Sequence, residues 1–485
     1  MKMPFAQLFS TPRACYIYDA NSSEFLCISE ELYSFFEKAA RKPADCPNHD
    51  LNLESASVEW VELQKLGYLL QDSVVKEVRH HYTDFLDYFN KRKLDKITLQ
   101  LTQDCNLRCK YCVYSESDNT RQRQHSKYKM NWDTAKRAID FLWEHSVDSH
   151  DVNIGFYGGE PLLEFELMKD IVEYCKMLFS GKSISFSLTT NGTLIDEKSI
   201  TYLQREKIPV MISLDGPKEV NDKNRVFEDG TGTFDVVISK IQQIKETAPE
   251  LAEIMQISMV IDPENDYDCI NSITLEGAEL DKFSVMSSLV DYDYDDKSAP
   301  YSDDFTEKDS YHQFLAILSR FNRYSEEKLG AAVSNLMNSQ IKDHELIGSA
   351  AGLRERDVPS GPCIPGQVRL FVDIHGNLFP CERVSETSLS MSLGSLDNGF
   401  DMMNAKKMLN VGRLTEKECV DCWGFRHCSI CIKVADDGSA HLSATKKLAA
   451  CENVLNQIYE KMRCYLLFKE IPLFYQRHVR NTSQT

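Results

Sequence analysis

Three cysteines, Cys105, Cys109 and Cys112, stand in the run Thr102-Gln-Asp-Cys-Asn-Leu-Arg-Cys-Lys-Tyr-Cys-Val. Three thiolates in one short loop can hold an iron–sulfur cluster and leave one iron with an open coordination site. An open iron binds a small molecule and passes an electron into it. A structural zinc normally takes four protein ligands, and an electron-carrying 4Fe–4S cluster normally takes four cysteines. Three ligands with no fourth nearby therefore point to chemistry. The competing reading is a zinc knuckle, or coincidence in a chain with 16 cysteines.

Other residues carry chemical potential further along. Gly158 and Gly159 lack Cβ atoms, so the backbone there can approach a ligand or take positive φ. Glu160 follows as a carboxylate able to accept from an ammonium group. Thr190 and Asn191 precede Gly192, although Asn-Gly alone is usually a turn. Ser213 and Asp215 are two apart on a strand, point to the same side, and suit ribose hydroxyls. Arg225 is a fork-shaped donor suited to a carboxylate; in isolation a surface salt bridge would explain it equally well.

A second group of seven cysteines lies near the end: Cys363, Cys381, then Cys419-x2-Cys422-x5-Cys428-x2-Cys431, then Cys451. Paired Cys-x2-Cys units also mark zinc ribbons. The remaining six, Cys15, Cys27, Cys46, Cys175, Cys269 and Cys464, are scattered and read as small buried hydrophobes.

These groups need a scaffold. From residue 93 to about 300, apolar runs (Lys96–Leu101, Val152–Tyr157, Ile184–Leu188, Val210–Leu214, Ile257–Ile261, Phe283–Met286) alternate with helical patterns (Trp132–Glu144, Glu166–Phe179, Asp196–Glu206, Phe234–Thr247). Such alternation implies βαβ units and a parallel sheet. Six units predict an α/β fold with a partial (β/α)6 barrel. The cysteine loop, Gly158–Glu160, Thr190–Asn191 and Ser213–Asp215 then end four successive strands, on the rim where βα barrels bind ligands. Near the C-terminus, Val368–Val372 and Leu378–Pro380 flank Asp373-Ile-His-Gly-Asn as a hairpin that brings Cys363 and Cys381 together. At the N-terminus, strands Ala14–Tyr18 and Glu24–Ile28, with helices Ser29–Ala40 and Val58–Leu66, predict a small winged-helix-like α+β module.

Cys-x3-Cys-x2-Cys with Tyr111 before the last cysteine resembles the cluster loop of the radical SAM enzymes. The resemblance implies a 4Fe–4S cluster on Cys105, Cys109 and Cys112 whose open iron chelates S-adenosylmethionine (SAM). Cleavage of SAM then gives a 5′-deoxyadenosyl radical that abstracts hydrogen from substrate. It further implies that the Gly158-Gly159-Glu160 segment holds the amino group of SAM, that Arg225 holds its carboxylate, and that Tyr111, Thr190, Asn191, Ser213 and Asp215 line the cofactor site. The later cysteines resemble the SPASM domain, with Cys431 following Cys428 by two residues where the family has three. That likeness implies two auxiliary 4Fe–4S clusters, one on Cys419, Cys422, Cys428 and Cys451. The other, on Cys363, Cys381 and Cys431, would have an open iron for a substrate thiolate, unless Cys464 or a scattered cysteine fills it. Glu382, directly after the hairpin cysteine, stands where formylglycine-forming members carry an aspartate base.

The expected organisation is a leader-peptide recognition domain (1–90), a radical SAM barrel (93–300), a helical connector (301–355) and a SPASM domain (356–485). The expected activity is thioether formation on a cysteine-bearing ribosomal precursor peptide, served by a low-potential donor such as flavodoxin or ferredoxin. Carbon–carbon cross-linking, anaerobic sulfatase maturation, and a non-catalytic iron–sulfur or zinc scaffold are the alternatives. A net charge of −19 argues against nucleic acid. No long apolar run argues for a membrane span, and no apolar segment follows Met1 to argue for secretion, so the expected setting is cytoplasmic.

Overall fold

The computed structural model describes residues 3–40, 53–112, 114, 125–281, 283–290, 301–359, 362–367 and 369–471. Of the positions singled out in the sequence, Cys46 and Val368 lie outside them.

Three short strands open the chain: β1 (Ala6–Ser10), β2 (Cys15–Asp19) and β3 (Glu24–Ile28). They form an antiparallel sheet in the order β1-β2-β3. Asp19, 1% exposed, fixes the β2–β3 turn by accepting from Ser22 N at 2.8 Å, and it also accepts from Leu69 N at 2.9 Å. Helices Glu30–Ala40 and Leu53–Lys65 follow. Ser29 caps the first, its hydroxyl accepting from Leu32 N at 3.1 Å. Leu32, Phe36 and Trp60 bury against Ile17 and Ile28. The sequence missed β1 but placed β3 and the Ser29 cap.

The other face of this sheet packs on the last described helix, Cys451–Glu470. Phe5, Phe9 and Tyr18 meet Ile458, Met462, Tyr465 and Leu466. Phe9 stacks on Tyr459 with centroids 4.7 Å apart and meets Trp423 edge-on at 6.3 Å. The hydroxyls of Thr11 and Tyr16 both donate to Glu470 Oε1, at 2.6 and 2.9 Å.

After the short strand β4 (Glu77–Val78) comes the expected alternation. Strands β5 (Lys96–Thr102), β6 (Asp151–Gly158), β7 (Ser183–Thr190), β8 (Val210–Ser213), β9 (Gln256–Ile261) and β10 (Ser284–Leu289) are parallel neighbours in that order. Between them run helices such as Trp132–His145, Phe165–Leu178, Glu197–Arg205 and Phe234–Thr247. Their ends are set locally: Asn131 caps the first through Thr134 N at 2.8 Å, and Asp196 with Ser199 forms a capping box on the third. On β5, Ile97, Leu99 and Leu101 join the apolar core with helix residues such as Ile139 and Leu142. The alternating Thr98, Gln100 and Thr102 belong to the opposite, inner face.

The barrel does not close. The outer edge of β5 instead takes a strand from the C-terminal region. β11 (Arg356–Asp357) pairs with β4, and then β12 (Leu370–Val372) pairs in parallel with β5. The hairpin partner β13 (Asn377–Phe379), followed by β14 (Gly394–Ser395) and β15 (Gly399–Phe400), extends the sheet to ten strands. The hairpin was legible in the sequence, but its union with the barrel was not. Segment 301–355 is largely helical, with Asp303–Arg320 and Ala331–Gly348. Among the described residues no helix is long and apolar enough to cross a membrane.

His344, 8% exposed, lies against Tyr465 and Phe468 with ring centroids 5.8 and 5.2 Å away, and its Nε2 has no hydrogen-bond partner among the described residues. Burial pushes its imidazole down to about 4. The unfolded chain therefore takes up the proton first, near pH 6.5, so this contribution is complete above that pH and is lost as pH falls toward 4. His344→Leu is expected to flatten the pH dependence of urea unfolding in that window. A slope equal to that of the parent would contradict this account of His344.

Candidate active site

The cysteine loop is tied at both sides by backbone. Thr102 O accepts from Gly159 N at 2.8 Å, and Asp104 O accepts from Glu160 N at 2.9 Å. Gly158 has φ +140°, and a Cβ built on it would sit 2.4 Å from Thr102 O; one on Gly159 would sit 2.1 Å from Asp104 O. These glycines therefore serve a closer neighbour than the ligand expected from sequence, namely the root of the cysteine loop itself. Opposite, Arg108 N donates to Val226 O at 2.8 Å and Lys110 N to Asn224 O at 3.0 Å.

Within this strap the three thiols lie in one another's electrostatic reach. Donors surround the sulfurs: Leu107 N approaches Cys105 Sγ at 3.4 Å, Asn191 Nδ2 the same sulfur at 3.7 Å, Tyr114 N Cys112 Sγ at 3.5 Å, and Arg225 Nη1 Cys109 Sγ at 4.0 Å. Burial pushes the free Cys105 and Cys109 thiols up to about 12. A bound cation inverts that preference and takes the thiolates. Three mutually close, donor-rich sulfurs fit an anionic iron–sulfur cluster.

Glu160, fully buried, accepts from Leu162 N at 2.9 Å, Thr190 Oγ1 at 2.7 Å and Asn191 N at 2.8 Å. Burial pushes its carboxyl up, and the three donors oppose that shift. It thus locks the end of β6 to the end of β7. Asn191 extends the lock: its Nδ2 donates to Asn106 Oδ1 at 2.9 Å and its Oδ1 accepts from Thr193 N at 2.9 Å. Asn106 Nδ2 in turn donates to Thr193 Oγ1 at 2.9 Å.

Ser213 ends β8, and Asp215 lies just beyond it. Asp215 Oδ1 accepts from Val260 N at 3.1 Å, while Oδ2 pairs with Arg225 Nε at 3.0 Å and accepts from the Tyr111 hydroxyl. Arg225 is only 8% exposed, with its guanidinium 5.6 Å from the Tyr111 ring centroid. It is no surface salt bridge but a buried cation beside Cys109. The proposed ribose partner Asp215 already spends its carboxylate on Tyr111, Arg225 and β9. The rim of β5 to β8 thus gathers Cys105, Cys109, Cys112, Tyr111, Gly158, Gly159, Glu160, Thr190, Asn191, Ser213, Asp215 and Arg225.

The C-terminal thiols of Cys419, Cys422, Cys428 and Cys451 lie within one another's electrostatic reach. So do Cys381 and Cys431; Cys363 and Cys431 are exposed. Among the described residues, no three His, Cys, Asp or Glu side chains are gathered tightly enough to enclose a single metal ion. Glu382 Oε1 accepts from Arg369 Nη1 at 2.6 Å, and its Oε2 is buried with no hydrogen bond among the described residues.

Sequence reasoning passed over Asn106, Thr193, Gln100 and Tyr114. Gln100, fully buried, donates from Nε2 to Tyr114 Oη at 2.8 Å and to Glu386 Oε1 at 2.7 Å. A lone glutamine amid Ile97-Thr-Leu-Gln-Leu was the available signal, as was the Asn-Gly-Thr continuation at Thr193.

Gly159→Ala forces a methyl group into Asp104 O. The clash is expected to cost about 1–3 kcal/mol, the usual scale of overpacking, and to displace the cysteine loop. Iron bound by the loop after anaerobic reconstitution should fall well below that of the parent, measured in a chain whose seven C-terminal cysteines are alanine. Full iron loading with unchanged stability would contradict it.

The sequence profile of the radical SAM superfamily matches residues 99–275. The radical SAM cyclopropyl synthase TigE of Paramaledivibacter caminithermalis is 23% identical over 283 residues, 55% of this chain and 58% of that protein. A cysteine-type anaerobic sulfatase-maturating enzyme of Clostridium perfringens is 30% identical over 287 residues, 57% of this chain and 71% of the enzyme. Among solved structures, native anSMEcpe with bound AdoMet has a TM-score of 0.56 at 20% identity, covering 78% of this chain and 100% of that one. The same protein solved with AdoMet and a Cp18Cys peptide has a TM-score of 0.53. A barrel of six parallel strands with this cysteine loop on its rim agrees with both kinds of likeness: the chain belongs to the radical SAM superfamily.

Proposed function

We propose that this chain modifies a ribosomally made precursor peptide, joining a cysteine sulfur to a carbon of another residue as a thioether. The observation that carries the reading is the convergence of three donor-ringed thiols with the buried Arg225 cation on one rim. Cys105, Cys109 and Cys112 would hold a 4Fe–4S cluster, with SAM beside it between Gly158–Glu160, Thr190–Asn191, Ser213–Asp215 and Arg225. When bound, this pair supplies hydrogen-atom abstraction from an unactivated carbon. The chain's own residues orient the reactants and exclude water. Glu160 and Asn191 hold the cysteine loop against β7, and Asp215 holds Arg225 beside Cys109.

The rest of the assignment follows the same reading. Residues 93–300 form the radical SAM barrel, joined by the connector 301–355 to a SPASM-type domain, 356–485. That domain carries one auxiliary cluster on Cys419, Cys422, Cys428 and Cys451 and a second on Cys363, Cys381 and Cys431. The second set supplies three cysteines, one fewer than such a cluster normally takes, and would leave a position for the substrate thiolate. Residues 1–90 bind the leader as an added strand beside β3, which lies at the edge of its sheet. A low-potential flavodoxin or ferredoxin supplies electrons.

A second reading, maturation of a sulfatase through formylglycine, is favoured by the Clostridium perfringens relative. Glu382 would then be the base. Mass spectrometry separates the two. The enzyme is reconstituted anaerobically with iron, sulfide, SAM and dithionite, and incubated with the cysteine-bearing peptide encoded beside its gene. The thioether reading expects 5′-deoxyadenosine together with a peptide that has lost two hydrogens and kept its sulfur. Loss of sulfur from the cysteine would establish formylglycine instead. No 5′-deoxyadenosine at all would return the scaffold reading.

A further inference from the structure

Lys447 is 3% exposed, yet among the described residues no carboxylate lies within ion-pair distance of it. Its Nζ donates to Cys419 Sγ at 3.3 Å and to the hydroxyl of Thr415, itself 3% exposed. Thr415 Oγ1 lies 3.3 Å from the same sulfur. An ammonium group has donors only. Because Lys447 occupies the Thr415 oxygen as an acceptor, the Thr415 proton is free to point at Cys419 Sγ. Two donors thus converge on one sulfur, an arrangement that suits a thiolate and not a thiol.

A buried ammonium without a counter-ion is strongly unfavourable, and among the described residues no carboxylate is placed to offset it. We infer that Lys447 is the built-in counter-cation of an anionic metal–thiolate cluster on Cys419, Cys422, Cys428 and Cys451, and that it raises the reduction potential of that cluster. Positive charge and N–H···S hydrogen bonds favour the more negative oxidation state of a thiolate-bound cluster. Lys447 is a positioning and tuning residue that acts through the Cys419 sulfur. The inference rests on the proposal that this quartet holds an iron–sulfur cluster, and it adds the group that sets the properties of the cluster.

The test uses the full chain with Cys105, Cys109, Cys112 and Cys381 changed to alanine, so that the quartet is the remaining four-cysteine set. Lys447→Met and Lys447→Arg are compared with this parent for iron and sulfide per chain and for midpoint potential, by redox titration read by electron paramagnetic resonance. The expected result is a more negative midpoint for Lys447→Met and a midpoint near the parent's for Lys447→Arg. Iron lost from Lys447→Met but kept by Lys447→Arg would equally support a charge requirement. An unchanged midpoint in Lys447→Met would overturn the inference, and so would loss of iron from both variants, because space and not charge would then be what matters. A parent that binds no iron would remove the cluster reading of the quartet, and the inference with it, before either variant is compared.

Discussion

The close backbone approach between the ends of β5 and β6 is the constraint on which the site depends. Thr102 O and Asp104 O accept from consecutive amides at Gly159 and Glu160, and a Cβ at Gly158 or Gly159 would overlap those two oxygens. This contact sets the root of the cysteine loop. The next contact, at Glu160, passes that position to β7, because one buried carboxylate takes donors from Leu162, Thr190 and Asn191. Sheet, loop and pocket wall are thereby one hydrogen-bonded unit.

Charge is arranged around the same unit. A buried guanidinium unpaired would be costly, and Asp215 supplies the partner for Arg225 while Tyr111 covers its face. The cation is held beside Cys109, where it favours thiolate over thiol. Lys447 repeats the device at Cys419, with no carboxylate in ion-pair reach among the described residues. In both places a cation is buried with a nitrogen directed at cysteine sulfur.

Much of this was legible from residue order, for identifiable reasons. The alternation of β-branched runs with amphipathic helices fixes the parallel strands, since period and length are local properties. The capping residues Ser29, Asn131 and Asp196 mark helix starts for the same reason. What was not legible is non-local. Nothing in Leu370–Val372 says that it will add to the free edge of β5, and nothing in Phe9 says that it will stack on Tyr459, 450 residues later in the chain. Gly158 takes the positive φ that the sequence allowed for, but composition shows only that something comes close to these glycines, not that the backbone of Thr102 and Asp104 does. Asp215, read as a partner for ribose hydroxyls, also binds three protein groups, Val260 N, Arg225 and Tyr111, which lie far from it or out of pattern in the sequence.

The measurement that bears most directly on the account is the electron paramagnetic resonance spectrum of the reduced, anaerobically reconstituted protein, with and without SAM. SAM is expected to change the signal of the cluster when Cys105, Cys109 and Cys112 are present, and to leave the spectrum unchanged when all three are alanine. A SAM-dependent change that survives their replacement, or none in the intact chain, would contradict the assignment of this rim as the SAM and cluster site.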